Sequence, residues 1–176
     1  DFLEGALAGA HIAYFSGISL AILHPRGRGT LMRALHLARQ GGARIAFDPN
    51  ERPALWTSPR VMGSTITAAA ILADVVLPTF PDEAALFGDI SPEAVAERYL
   101  SWGAEEVVVK NGAEPAFVAT RESQGWVAPR PGARSIDPTG AGDSFNGAYL
   151  SARAQGASPL EASAAAHALA AQVIAH

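Results

Sequence analysis

The sequence predicts an α/β domain with a mainly parallel sheet flanked by helices. Short apolar runs alternate with longer segments of helical periodicity, and Gly, Pro or Asn marks each change of element. Size agrees: 176 residues, 49% hydrophobic and 17% charged, can form one core that removes roughly 70% of the unfolded chain's surface from water.

The elements follow in order. Phe2, Leu3, Ala6 and Leu7 share a helical face from the start. Residues 12–15 form a short apolar run closed by Ser16-Gly17, and residues 29–40 a helix with Leu31, Leu35, Leu37 and Ala38 on one side. Gly41-Gly42 ends that helix; residues 45–47 make a second buried strand, broken by Asp48-Pro49-Asn50. A helix over 61–72 and a strand over 75–77, stopped by Pro78, repeat the pattern. Ser91-Pro92-Glu93 supplies N-cap, first-turn proline and early acid for a helix reaching Trp102, ahead of a strand at 107–110. Residues 116–119 and 125–127, separated by polar residues, predict antiparallel strands at the sheet edge. Two helices close the chain, one over 141–155 and one from Pro159 to at least Ala175 with Ser158 as N-cap. With no linker and no low-complexity tract, residues 1–176 read as a single domain. Helical patterns run into both ends, so further sequence is expected on either side.

Composition narrows the function classes. Thirteen Lys and Arg face 17 Asp and Glu for a net charge of −4, without a basic run, which argues against a nucleic-acid partner. No cysteine is present, excluding disulfide scaffolds, Cys-ligated zinc and thiol nucleophiles. Asp74 interrupts the longest apolar stretch well short of the ~18 residues a membrane span needs, so a soluble, cytoplasmic protein is expected. His11, His24, His36, His167 and His176 show no metal-ligand spacing; His167, alone on an Ala-rich helix, reads as a packed or surface residue. Trp56, Trp102 and Trp126 read as packing residues.

The most informative stretch is Asp137-Pro138-Thr139-Gly140-Ala141-Gly142-Asp143-Ser144-Phe145. A Gly-rich turn entering a helix leaves backbone N–H groups without intrahelical partners and aims the positive helix end at one point, which suits phosphate oxygens. Asp143 would repel a phosphate there unless its carboxylate serves the incoming nucleophile. Phosphoryl transfer reconciles the two, the amides stabilising charge on the transferred group while Asp143 accepts the proton of an attacking hydroxyl. The alternative is an N-cap or first-turn acid that steadies its helix by ~0.3–1 kcal/mol. A dinucleotide fingerprint fails, because glycine returns only at Gly147.

Asp48, Asn50 and Arg52 alternate just beyond a strand, so an extended chain would project them to one side, where ligands bind in open α/β sheets. Arg52 suits a carboxylate bidentately. Otherwise this is a solvated loop with Arg52 paired to Asp48 or Glu51.

The run from Asp137 to Asp143, continued by Ser144-Phe145-Asn146-Gly147, resembles the C-terminal signature of the ribokinase-like (PfkB) carbohydrate kinases. The likeness covers nearly the whole chain: residues 107–110 with Asn111-Gly112-Ala113 resemble the family's strand and nucleotide-site turn, and residues 82–88 its acidic helix. Ser16-Gly17-Ile18 and the segment from Asp48 to Trp56 are most similar to 2-keto-3-deoxygluconate kinases. The resemblance implies a three-layer α/β/α ribokinase-like fold whose N-terminal part and lid are missing. It further implies ATP-dependent phosphorylation of a sugar or sugar-acid hydroxyl, with Asp143 as base and the Gly140, Ala141 and Gly142 amides as anion hole. Lys110, Gly112 and Thr139 would then border the nucleotide, Asp48, Asn50 and Arg52 the sugar, and Asp82 and Asp137 the Mg²⁺. Where many relatives carry Asn-x-x-Glu, this chain has Thr79-Phe80-Pro81-Asp82, an acid one methylene shorter. A neutral-sugar kinase and a non-catalytic, ligand-binding homologue are the alternatives, and a homo-oligomer stays open.

Overall fold

The computed structural model describes residues 2–129, 140–173 and 175. A six-stranded sheet runs β1 (Ile12–Ser16), β2 (Arg44–Asp48), β3 (Val75–Val76), β4 (Glu106–Val109), β5 (Ala116–Thr120) and β6 (Gln124–Val127), in sequence order across the sheet. β1 to β4 pair in parallel, and β4–β5 and β5–β6 pair antiparallel. This is the expected mainly parallel sheet with an antiparallel edge.

Strand alternation sorts the core into two layers. Ile45, Phe47, Val76, Val107, Val109 and Phe117 face one way, onto Leu35 and Ala38 of α3 (Pro25–Gln40), Met62 and Ile66 of α4 (Pro59–Leu72) and Val95 and Tyr99 of α6 (Pro92–Ser101). Ala46, Val75, Leu77, Val108 and Val118 face the other way, onto Phe145 and Tyr149 of α7 (Ala141–Ala154) and Ala162 and Ala166 of α8 (Pro159–Val173). Three layers, helices on sheet on helices, result. α1 (Phe2–Leu7), α2 (Gly17–Ile22) and α5 (Phe80–Phe87) are the other α-helices among the described residues.

Two helices start earlier than expected. α3 begins at Pro25, not residue 29, and α4 at Pro59, not residue 61, because proline at the first helical position has no N–H to leave unpaired and a φ already suited to a helix. His24 Nδ1 accepts from Gly27 N at 3.2 Å and Ser58 Oγ from Val61 N at 3.2 Å, capping both. β3 is only two residues long, yet the sheet continues beyond it: Lys110 N donates to Pro78 O at 2.8 Å and Phe80 N to Lys110 O at 2.8 Å. That bridge carries Lys110 and Thr79 to the carboxyl edge of the parallel strands.

α2 follows β1 without a loop. A Cβ on Gly17 would lie 1.8 Å from the Pro49 carbonyl oxygen, so this glycine lets the turn after β2 press against the start of α2.

Candidate active site

The carboxyl ends of the parallel strands open onto a cavity of about 600 Å³. Asp48, Asn50 and Arg52 line it from the end of β2, Thr79 and Asp82 from the start of α5, Lys110 and Gly112 from the end of β4, and Gly140, Ala141, Gly142 and Asp143 from the start of α7. Asp48 and Asp143, 95 positions apart in sequence, thus share one space, as the rule for ligand sites in open α/β sheets expects. Asp137 and Thr139 lie outside the described residues.

At the entrance to α7, Gly140 is the N-cap in a left-handed conformation, φ 78°. Ser144 N donates to its carbonyl at 2.9 Å and Ser144 Oγ at 2.7 Å, which fixes the first turn. The amides of Ala141, Gly142 and Asp143 precede the first intrahelical bond, so their N–H groups face the cavity end of the helix without α7 partners. Asp143, exposed to the cavity, is the third helical residue and not the cap.

Behind this turn lies a buried polar group. Lys110 Nζ donates to Asp48 Oδ2 at 3.0 Å and to Asn146 Oδ1 at 3.2 Å. Asn146 Nδ2 donates to the same Asp48 oxygen at 2.6 Å and to Tyr14 Oη at 3.2 Å. Asp48, Lys110 and Asn146 are 2%, 9% and 1% exposed, so these bonds answer groups that would be costly to bury alone. Burial pushes the Tyr14 phenol up to about 12, helped by the negative charges of Asp48 and Asp143 and opposed by its bond with Asn146. A Cβ on Gly142 would stand 3.8 Å from Lys110 Nζ, which places the ammonium beside the glycine turn.

The segment after β2 reaches the cavity by a different route from the extended path expected. Asn50 has φ 35°, a left-handed bend, while its N–H takes Asp48 Oδ1 at 3.0 Å, an Asx-type turn that Asn tolerates. Arg52 pairs with neither carboxylate suggested for it; its Nη1 donates to the Glu51 carbonyl at 2.7 Å and the residue is exposed. Burial raises the Asp82 carboxyl, the Arg52 charge opposing it.

His167 is packed, as expected of a lone histidine on an Ala-rich helix, with its ring edge-on to Phe145 at 5.1 Å, and it also lines the cavity. Burial lowers its pKa, against a bond with the Val127 backbone. Asn146 and Tyr14 were given no role by the sequence reading. The usable signal was the spacing of Asn146, three residues after Asp143 and so on the same helical face.

The profile of the pfkB family of carbohydrate kinases matches residues 2–176. The chain belongs to that family. It is 34% identical over 177 residues to the 2-dehydro-3-deoxygluconokinase of Dickeya dadantii, covering 99% of this chain and 57% of the relative. To the enzyme of that name from Escherichia coli K12 it is 38% identical over 172 residues, 96% of this chain and 55% of the relative. The chain therefore spans about half the length of the curated relatives it matches. Among solved structures, a putative ribokinase II of E. coli in complex with ATP and Mg²⁺ superposes with a TM-score of 0.84 at 27% identity, covering 98% of this chain and 55% of the other. The pfkB-family chain thus has the three-layer ribokinase-like arrangement that its C-terminal motif implied.

Proposed function

We propose that the protein transfers the γ-phosphoryl group of ATP to a hydroxyl of 2-keto-3-deoxygluconate or a closely related sugar acid. The observation that carries this reading is the opening of Asp143, the Gly140–Gly142 turn and Arg52 onto one cavity. The names of the two curated relatives support the sugar acid, and the ATP complex of the ribokinase-like neighbour supports the donor.

In the proposed reaction the substrate hydroxyl oxygen bonds to the γ-phosphorus as its proton passes to an Asp143 carboxylate oxygen. The bond from that phosphorus to the bridging oxygen breaks, and its electrons leave with ADP. The Ala141 and Gly142 amides face the oxygens on which charge accumulates, and the nearby Lys110 ammonium adds positive potential. Gly112, with φ 61°, lines the nucleotide side without a Cβ, and Thr139 is assigned there by the family motif. Asn50 and Arg52 are assigned to the sugar, Arg52 to its carboxylate. The Asp48 carboxylate is occupied by Lys110 and Asn146, so its contribution to the sugar runs through them and the Asn50 turn.

Among the described residues no three His, Asp or Glu side chains converge on a metal-sized space. Mg²⁺ fits such a site, since it uses one or two carboxylates together with phosphate oxygens and water. Asp82 and Asp137 are the carboxylates assigned to it, and the ion supplies charge neutralisation on the phosphates when bound.

The test is ADP release with 2-keto-3-deoxygluconate, ribose and fructose as acceptors, for the parent and Arg52→Ala. Higher kcat/KM on the sugar acid is expected, with a loss of 10-fold or more in the variant confined to that acceptor, about the worth of one charge-assisted pair. Equal losses on acid and neutral acceptors would remove Arg52 from carboxylate recognition, and turnover of ribose or fructose alone would make this a neutral-sugar kinase.

A further inference from the structure

Lys110 is the only lysine in the chain, the other twelve strong cations being arginines, and it sits at the back of the cavity. Two of its three donors are used, one on Asp48 and one on Asn146. The orientation of the Asn146 amide follows from its two charged neighbours. Its oxygen meets the ammonium and its nitrogen the carboxylate; the reverse setting would put donor against donor and acceptor against acceptor.

This arrangement governs where the ammonium lies. A lysine paired with a buried carboxylate alone would settle onto it, because in low dielectric that attraction exceeds what any neutral acceptor offers. Asn146 works against such collapse twice. It takes up part of the Asp48 oxygen with its own N–H, and it offers Lys110 a second acceptor on the α7 side. The ammonium therefore stands between β2 and α7, beside Gly142, where a transferred phosphate would lie.

We propose that Asn146 is a positioning residue for nucleotide phosphates: by bonding both Lys110 and its partner Asp48, it holds the chain's single lysine ammonium at the glycine turn of α7. The proposal rests on the kinase reading above and adds to it a residue that touches no reacting atom.

The experiment compares the parent with Asn146→Leu, which keeps the branched side-chain skeleton in a somewhat larger form and removes both polar atoms, and Asn146→Asp, which keeps an acceptor for Lys110 but sets a second carboxylate against Asp48. Steady-state kinetics should show a KM for ATP at least 10-fold higher in Asn146→Leu, with the KM for the sugar acid within threefold of the parent. In Asn146→Asp the KM for ATP should rise further as pH increases and the new carboxylate ionises, a profile that a purely structural defect would not produce. Acetylation of Lys110 by acetic anhydride, followed by peptide mass mapping, reads the ammonium without catalysis. It should be at least fivefold faster in Asn146→Leu, and slowed by ADP in the parent. A KM for ATP within threefold of the parent, a parallel rise in both KM values, or equal acetylation rates would each overturn the proposal. If the parent transfers no phosphate to any acceptor, the kinase reading falls, and equal or unequal acetylation still decides whether Asn146 holds Lys110. Should Asn146→Leu not fold, Asn146→Ser is put through the same comparisons.

Discussion

At the scale of single residues the sharpest question concerns Asp143. It is the third residue of α7, behind a glycine cap, so its negative charge suits the helix start whether or not it accepts a proton. Asp143→Asn separates the two roles, because the amide keeps the shape and loses the basicity. We expect kcat to fall by ~10²–10⁴, the span for removing a positioned base, with Tm within about 2 °C of the parent. A kcat within about threefold would leave Asp143 a helix acid only. Glu51 poses a different question. Its Oε1 is buried without a partner among the described residues, and burial, followed by the charges of Glu83 and Asp82, pushes the carboxyl up to about 8. Glu83, bonded to Arg98 and Tyr99, is pushed up to about 7, burial again leading. A carboxyl whose folded pKa is raised binds its proton more tightly in the folded state, so the folded protein is favoured below the ordinary value of 4.5 and loses that advantage as pH rises to about 8. Glu51→Gln should therefore raise Tm by ~3–6 °C at pH 9, where the parent must hold a buried charge, and change it little at pH 4. Melting curves displaced equally at both pH values would show that Glu51 does not carry the dependence. The acid of α7 was legible from its local motif, whereas the partnership of Asp48 with Asn146 was not. Those residues are 98 positions apart, and only the folded sheet brings them together.

At the scale of elements, what was legible follows from period and punctuation. β2 to β5 were visible because the sheet is covered on both faces there, which makes these strands continuously apolar, whereas β1 and β6 at the edges alternate between more buried and more exposed residues. α2 was not visible: six residues following β1 with no loop offer too few turns for a helical period to show. The same junction explains Ser16-Gly17, which reads in sequence as a strand stop. Its glycine is required by a contact with Pro49, 32 residues away, and no local pattern encodes that. Gly17→Ala tests the junction. The added methyl group meets backbone at 1.8 Å, so α2 or the turn from Asp48 to Arg52 must shift. We expect a Tm loss of roughly 2–12 °C, matching the 1–3 kcal/mol typical of overpacking, and a KM for the sugar acid raised more than that for ATP, since the displaced turn carries Asn50 and Arg52. Unchanged KM values beside a lowered Tm would confine the contact to stability.

At the scale of the whole molecule, the cavity lies where the sheet's two helical layers meet at one edge. Asp82 comes from α5 and Asp143 from α7, while β2 and β4 supply the residues between. α7 is tied down at its far end as well: Arg153 Nη2 meets Glu106 Oε2 at 2.7 Å and Tyr149 Oη meets Glu106 Oε1 at 2.6 Å, joining α7 to the start of β4. Burial would raise the Glu106 carboxyl, but bonds from Arg153 and Tyr149 outweigh it and hold it low, so this anchor persists at neutral pH and is lost only on acidification. A ligand that bridges the cavity should consequently stabilise the molecule as a unit, not one layer alone. Binding to the folded state adds RT ln(1 + [L]/Kd), about 2.7 kcal/mol at a hundredfold excess over Kd, which for a chain of this size is a Tm rise of ~5–11 °C. ADP with 2-keto-3-deoxygluconate should give that rise in the parent and nearly as much in Asp143→Asn, because removing the base spares the nucleotide contacts. Amide hydrogen exchange should slow together in residues 48–52 and 140–146, the two sides of the opening. A rise confined to one ligand, with slowed exchange on one side only, would mean that nucleotide and sugar sites do not share this cavity, and transfer from one to the other would have no structural basis.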